Sequence, residues 1–424
     1  RRAPAHDRLV PPAPGTQLVT AAICRSCGND RLELVLSLGR TPLANALLTE
    51  AQLAQPEARY PLDLAFCTEC SLVQITETVP PEQLFSHYLY FSSFSDTMLR
   101  HAKQIANRLV ESRQLGSDSL VIELASNDGY LLQFYREAGI PVLGIEPAAN
   151  VAEAARQRGI PTLTKFFGEA VASELRDAGT LADVVHANNV LAHVSDLNGF
   201  VSGIATVLKP GGVAVIEVPH VKTMLESLEF DTIYHEHLCY FSLISLQALF
   251  SRHDLRVVDV ERLPIHGGSL QLFIESAGTP SDAVCKLLEE ERAMGLDRLG
   301  FYEDFGSRVE ALKDELRECL GGLRREGKRI AAYGASAKGS TLLNYCGIGR
   351  ETLEFVVDRS TVKQGLYTPG THLPILAPEE VQERRPDYLL LLVWNLADEI
   401  FEQQHAYRER GGRFIIPIPE VKVV

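Results

Sequence analysis

Two clusters in this 424-residue chain carry side chains suited to chemistry. The first is a pair of Cys-x-x-Cys turns, Cys24/Cys27 and Cys67/Cys70. Thiolates separated by two residues let one tight turn aim both sulfurs at one ion, and two such turns complete a tetrahedral zinc site. Gly28, directly after the first pair, supplies the positive φ that a knuckle turn requires. Four cysteines leave no open coordination position, so the expected zinc is structural. The gap between the pairs is longer than in the common zinc ribbon, and two disulfides or unpaired core thiols are the alternatives. Cys239, Cys285, Cys319 and Cys346 stand singly in apolar or helical patterns and read as small buried hydrophobes.

The second cluster is Tyr234-His235-Glu236-His237, a phenol, two imidazoles and a carboxylate in four residues. Tyr234 and His237, three apart, face one side of a helical turn. An imidazole titrates near neutrality and is the natural general base. Glu236 can fix its tautomer or hold an imidazolium. A His-Glu-His triplet also raises the question of metal. The metalloprotease pattern sets its histidines four apart, whereas His235 and His237 are two apart and point to different faces. Acid–base catalysis is therefore expected, with a merely structural polar cluster as the competing reading.

These residues need a scaffold, and the chain is long enough for two or three domains. Hydrophobic residues make up 46%, ample for several cores, and the net charge of −14 argues against nucleic acid as a general partner. No apolar run is long enough to span a membrane, and the first residues show no signal-peptide core. Together with the scattered thiols, this predicts a reducing cytoplasm. Short apolar strands alternate with helical patterns from Leu120 to Val218, and again from Arg329 to Ile416. Such alternation implies parallel sheets with crossover helices, an α/β fold. A charged helical stretch, 281–325, reads as a linker helix between them. The expected organisation is a loose tail (1–20), a zinc-binding module (21–80), a first α/β domain (81–280) and a second α/β domain (281–424). Three modules covering one another's apolar faces suggest a monomer.

Each α/β region opens on a strand–turn–helix able to cradle a nucleotide. In the first, Glu123-Leu124-Ala125-Ser126-Asn127-Asp128-Gly129 follows an apolar strand. Its small residues allow close backbone approach to a ligand, and helix N-terminal amides face it. Glu146, at the tip of the next strand, can accept both ribose hydroxyls, and a third strand ends in Asn188. This order of pieces resembles class I S-adenosylmethionine-dependent methyltransferases. That family's turn reads (Glu/Asp)-x-Gly-x-Gly-x-Gly; here Ala125, Asn127 and Gly129 stand at the glycine positions. Asparagine tolerates the left-handed conformation better than most residues. An NAD site and an empty flavodoxin-like sheet are the alternatives.

In the second region, Gly334-Ala335-Ser336-Ala337-Lys338-Gly339-Ser340-Thr341 follows a strand, and Asp358 ends the next one. Read alone, this is an NAD fingerprint with its ribose-binding acid. The first glycine pair, however, is Gly-x-Ser, and Lys338 better suits a diphosphate bearing a sugar. Asn395 closes a later strand and is a further candidate for facing the nucleotide. An empty duplicated scaffold is the remaining alternative.

Taken together, the four-cysteine module, the Glu-Leu-Ala-Ser-Asn-Asp-Gly turn, Tyr-His-Glu-His-Leu-x-Tyr-Phe-Ser and Gly-Ala-Ser-Ala-Lys-Gly resemble the sugar-nucleotide C-methyltransferases. The resemblance runs from about Ile23 to the end of the chain. Within that family it is similar to the 3-C-methyltransferases of dTDP-3-amino-4-keto-trideoxyhexoses. It implies that Tyr234 and His237 are the main catalytic residues, with Glu236 between them. It implies further that His193 and Tyr88 line the site, with Tyr90 the less favoured equivalent of Tyr88. The C-terminal domain would hold the nucleoside diphosphate, and His266 would sit in a substrate-facing loop. The implied reaction is methylation of a carbon beside a 4-keto group through an enolate, in natural-product deoxysugar biosynthesis, with S-adenosylmethionine as donor and zinc purely structural. A two-domain NAD-dependent sugar-nucleotide dehydrogenase and a non-catalytic zinc-containing assembly protein are the competing classes.

Overall fold

Three sheets organise the chain in this computed structural model, which describes residues 22–85, 92–94, 96–264 and 268–424. The first is a four-stranded antiparallel sheet. Leu32–Thr41 pairs with Tyr60–Cys67, that strand with Val73–Ile75, and the last with Cys239–Tyr240. The zinc-bearing sheet thus takes its edge strand from the residues directly after His237.

The second sheet has seven strands. Val121–Leu124 is flanked on one side by Val142–Ile145 and Thr162–Leu163. On the other side lie Ala182–Asn188, Leu208–Pro219, Ser269–Glu275 and Arg256–Leu263. The first five in chain order run parallel, and the last two are antiparallel additions. Strand order reverses at the carboxyl ends of Val121–Leu124 and Ala182–Asn188, and such reversals are where α/β sheets bind ligands. Lys209-Pro210-Gly211-Gly212, a sequence that suits a turn, lies within the strand Leu208–Pro219. Gly211 takes φ +80° there.

The third sheet repeats the doubly wound plan. Ile330–Tyr333 pairs with Val356–Val357 and with Tyr388–Leu391. Ile375–Leu376 and Arg413–Ile416 extend the two sides in parallel, and Lys422–Val423 adds an antiparallel edge. Its reversal point lies between Ile330–Tyr333 and Tyr388–Leu391.

The stretch 281–325 is not a single linker helix. It forms Asp282–Met294 and Phe305–Arg325, broken at Gly295, which ends the first helix at φ +86° and donates to the carbonyls of Glu291 and Arg292. Both helices bury one face: Val284, Leu287, Leu288 and Glu291 in the first, and Phe305, Val309, Leu312, Leu316 and Leu320 in the second. The apolar ones among these side chains, the interior of the zinc sheet and one face of each α/β sheet belong to one continuous apolar core. The zinc module therefore packs into a shared core. Cys285 departs from expectation: it is exposed, because it falls on the outer side of the 284–287–288–291 stripe, and Cys319 is only half-buried. No helix among the described residues is long and apolar enough to cross a membrane.

Candidate functional site

The two Cys-x-x-Cys segments fold as equivalent knuckles. The Gly28 amide donates to the Cys24 carbonyl (2.9 Å) and the Ser71 amide to the Cys67 carbonyl (3.0 Å). Gly28 and Ser71 both take positive φ, +73° and +60°. All four sulfurs lie within 4.8 Å of one another; Cys24–Cys70 and Cys27–Cys67 are each 3.5 Å apart. Tetrahedral zinc–thiolate bonds of ~2.3 Å put sulfurs about 3.8 Å apart, so the donor set fits the ion closely. The contacts are far longer than a disulfide bond. Around the site, the Arg25 guanidinium donates to the carbonyls of Ile75 and Glu77 and to Thr78 Oγ1. Asn198 Nδ2, from the central α/β unit, donates to the Arg25 and Ser26 carbonyls, 3.0 Å each. The knuckles are thereby fastened to the unit that carries the chemistry.

In the first cradle, Ala125, Asn127 and Gly129 take φ +52°, +49° and +78°. All three glycine positions of the family pattern therefore keep the left-handed backbone, although only one is glycine. A Cβ on Gly129 would sit 2.8 Å from Ile160 Cγ1. Glu146 locks the turn, its two oxygens accepting from the amides of Asn127 (2.9 Å) and Ala148 (2.8 Å). The remaining lone pairs of a carboxylate are free for a ribose. Around it gather the buried carboxyl groups Glu123, Asp128 and Glu217. Desolvation, then the charges of Glu146, Asp128 and Glu217, push the Glu123 carboxyl well above the usual range, and burial raises Glu146 against its two amide donors. Among the described residues, Glu123 Oε2, Asn188 Oδ1 and Asn189 Oδ1 are buried without a hydrogen-bond partner. An acidic wall with unused acceptors suits a cationic ligand carrying an ammonium and a sulfonium, and S-adenosylmethionine meets that description.

Alanine pays a steric penalty of about 1–2 kcal/mol for a left-handed backbone, partly offset in an Ala→Gly exchange by the freer unfolded chain. Ala125→Gly is therefore expected to stabilise the fold by about 0.5–1 kcal/mol. Denaturant unfolding of the two forms measures it, and a destabilised variant would contradict the strain.

The acid–base cluster lies at the far side of this cradle. After Ala182–Asn188 the chain makes a single helical turn, Leu191–His193, and the Leu238 amide donates to the Ala192 carbonyl (2.7 Å). Residues 234–237 form one tight turn, closed by the His237 amide on the Tyr234 carbonyl (2.8 Å), so the two side chains meet as the spacing predicts. The Tyr234 hydroxyl lies 2.8 Å from His237 Nε2, and His237 Nδ1 lies 2.8 Å from the Thr232 carbonyl oxygen. A carbonyl only accepts, so Nδ1 carries the proton and Nε2 receives the Tyr234 hydroxyl. Thr232, not Glu236, fixes this tautomer. His193 stands edge-on to His237 with ring centroids 4.8 Å apart; it donates to the Glu236 carbonyl, and desolvation pushes its pKa down to about 4. Glu236 is buried and turns to the zinc module, where its Oε1 accepts from Asn45 Nδ2 (2.7 Å). Burial pushes its carboxyl up to about 7, against the pull of that donor. His235 points the other way: Nε2 donates to the Pro61 carbonyl (3.0 Å), which leaves no His-Glu-His metal site. Tyr88, Tyr90 and His266 lie outside the described residues.

The C-terminal cradle reaches the same place from the opposite side. Gly334 (φ +95°) and Gly339 allow close packing, for a Cβ on either would lie 2.6 Å from Val393 or 2.7 Å from Leu392. Ser336 caps the helix Ala337–Cys346, its Oγ accepting from the Gly339 amide (3.0 Å), and Ser340 lies buried in the helix's first turn. Asp358 accepts from the amides of Ala335 and Ser360, 2.8 Å each. Asn395 does not close a strand; the strand ends at Leu391, and Asn395 is exposed in the short turn Trp394–Leu396. Lys338 turns toward the acid–base segment, with Nζ 4.0 Å from Glu229 Oε2 and 5.1 Å from the centre of the Trp394 ring. Burial raises Glu229 to about 7 and Asp231 above its ordinary value; Lys338 pulls both down. Trp394 Nε1 donates to Asp231 Oδ2 (2.7 Å), and Thr341 Oγ1 donates to the Ile233 carbonyl (3.2 Å). Sequence reasoning missed Thr232 and Asn45 as partners of the 234–237 turn, and Glu229, Asp231 and Trp394 as the groups around Lys338.

A seven-stranded sheet of this order, with the left-handed turn and Glu146 at its reversal point, defines a class I S-adenosylmethionine-dependent methyltransferase. Three family models match in succession: a zinc binding domain (24–85), a methyltransferase domain (97–260) and a C-methyltransferase C-terminal domain (264–419). C-methyltransferase NovU of Streptomyces niveus is 39% identical over 404 residues, 95% of this chain and 96% of that protein. The chain belongs to this C-methyltransferase family; it is an enzyme, with S-adenosylmethionine and structural zinc as its cofactors. A ubiquinone biosynthesis O-methyltransferase of Brucella ovis is 27% identical over 151 residues, 32% of this chain and 60% of its own length. Among solved structures, magnesium protoporphyrin IX methyltransferase of Synechocystis with bound S-adenosylmethionine aligns over 42% of this chain and 78% of its own, at 13% identity and a TM-score of 0.33.

Proposed function

We propose that the enzyme methylates carbon 3 of a dTDP-linked 4-keto-deoxysugar through an enolate, in the cytoplasm, as a step of natural-product deoxysugar biosynthesis. The observation that carries this reading is the Tyr234–His237 pair, whose tautomer is set by the Thr232 carbonyl. A ketone acidifies the adjacent C–H bond, and a neutral imidazole Nε2 is the acceptor that bond needs. The Tyr234 hydroxyl occupies Nε2, so the pair works in one of two orders. In one, Tyr234 swings to the substrate oxygen and His237 takes the proton directly. In the other, Tyr234 passes its own proton to His237 and accepts the substrate's. Both end with the proton on Nε2 and a phenol beside the enolate oxygen. S-adenosylmethionine, when bound, supplies an electrophilic methyl group to the enolate carbon. Glu146, Asn188 and the 125–129 turn would hold it on one side. The C-terminal cradle, through the 334–339 turn, Ser336, Ser340 and Asp358, would hold the nucleoside diphosphate on the other. Lys338, now facing Glu229, is within reach of the same helix N-terminus. A relative named as a C-methyltransferase over nearly the whole chain supports transfer to carbon.

Thermal denaturation with S-adenosylhomocysteine, NAD and dTDP, each alone and in pairs, tests the assignment of the cradles. Stabilisation by the first and third with none from NAD is expected. Stabilisation by NAD alone would point to a dehydrogenase.

A further inference from the structure

The zinc-bearing module reaches the catalytic turn through one side chain. Asn45 lies between the strands Leu32–Thr41 and Tyr60–Cys67, 191 residues before its partner, and its Nδ2 is 2.7 Å from Glu236 Oε1. A carboxylate only accepts, so the amide presents its N–H to it. The loop holding Asn45 is fixed at both ends by the sheet, and the C-terminal unit fixes it again. Leu48 and Tyr367 exchange backbone hydrogen bonds (2.9 and 2.8 Å), and Glu57 accepts from the Gly370 amide (2.9 Å) and from His372 Nε2 (2.9 Å). Asn45 is exposed, whereas Glu236 is buried, so the contact sits where solvent meets the interior.

Resting on the reading that the 234–237 turn does the chemistry, we propose that Asn45 is a positioning residue of the reaction, holding the Glu236 carboxylate in place in the turn that carries Tyr234 and His237. Among the described residues, the groups around Glu236 leave it no other partner of that kind. His193 engages its backbone carbonyl, His237 is tied to Thr232 and Tyr234, and His235 faces Pro61. Among the described residues, burial and the Asn45 amide are what shift its ionisation, and no cation adds to them. When His237 takes the substrate proton, the charge it gains favours an anion in the same turn, and the Asn45 N–H is what stabilises that anion.

The sign follows directly. Burial raises Glu236 and the amide lowers it, so removing the amide raises it further. In Asn45→Ala, the Glu236 titration is expected to move to higher pH by about one pH unit, and Asn45→Gln to restore part of the shift. The direct readout is the 13C titration of the glutamate carboxyl, assigned with Glu236→Gln, in the zinc-loaded protein. The second is the acid limb of kcat against pH, which should move with it. An unmoved carboxyl titration would overturn the role of Asn45, whatever the turnover. A moved titration with an unmoved acid limb would leave the contact between Asn45 and Glu236 standing but show that it does not serve the reaction, and would overturn the proposal. Uniformly lower turnover with neither moved would mark Asn45 as structural only and would also overturn the proposal.

Discussion

His237→Asn is expected to lower kcat by about 10²–10⁴-fold while leaving the binding of both ligands within a few-fold of the parent. Asparagine keeps a donor toward the Thr232 carbonyl and an acceptor near Tyr234, so the turn has reason to persist. What disappears is a group able to take a proton near neutrality. Tyr234→Phe is expected to fall in the same direction, since it removes the hydroxyl 2.8 Å from Nε2 and with it the donor for the enolate oxygen. If the two act as one unit, the double variant will be little worse than the poorer single one. Steady-state kinetics and calorimetric binding of S-adenosylhomocysteine to each variant measure this. Near-parental kcat in His237→Asn would remove the dyad from the mechanism.

Loss of zinc is expected to cost more than any other single change. Structural zinc sites in small peptides carry about 10–16 kcal/mol of apparent binding energy, comparable to the whole stability of a typical domain. Here the consequence spreads, because the sheet that the cysteines anchor pairs with Cys239–Tyr240, and the Ile75 amide donates to the Leu238 carbonyl (3.0 Å). Those are the residues next to His237. Cys67→Ser, or exhaustive chelation, should lower the melting temperature by about 10 °C or more and abolish turnover, although zinc does no chemistry. Metal analysis of the parent should return one zinc per chain. A metal-free enzyme with full turnover and unchanged melting would contradict the structural role.

Much of the fold was readable because local rules and tertiary context agree. Ala125-Ser126-Asn127-Asp128-Gly129 is legible as a tight turn despite having one glycine, since Asn127 tolerates the left-handed region and Gly129 enters it freely. The cysteine knuckles read equally well, except that Ser71 stands where a second glycine was not required. What escaped was set by distance along the chain or by backbone atoms. The contact of Asn45 with Glu236 spans 191 residues and follows from no local pattern. The tautomer of His237 is set by a carbonyl, and a carbonyl leaves no mark in residue identity. The turn around Lys338 points to a diphosphate ligand but carries no sign of the groups beside it. Glu229, Asp231 and Trp394, which surround it, come from other parts of the chain. The exposure of Cys285 and the break at Gly295 were legible in the helical period and the glycine, and a stricter count of the stripe would have found both.

In the proposed reaction His237 and Tyr234 strip a proton from a carbon beside a ketone before that carbon meets the methyl group. Incubating the zinc-loaded enzyme in deuterium oxide with a dTDP-4-keto-deoxysugar and S-adenosylhomocysteine isolates that step. Deuterium should enter carbon 3 with the parent enzyme and stay out with His237→Asn. Methylation proceeding with S-adenosylmethionine while His237→Asn exchanges the proton as fast as the parent would contradict the account.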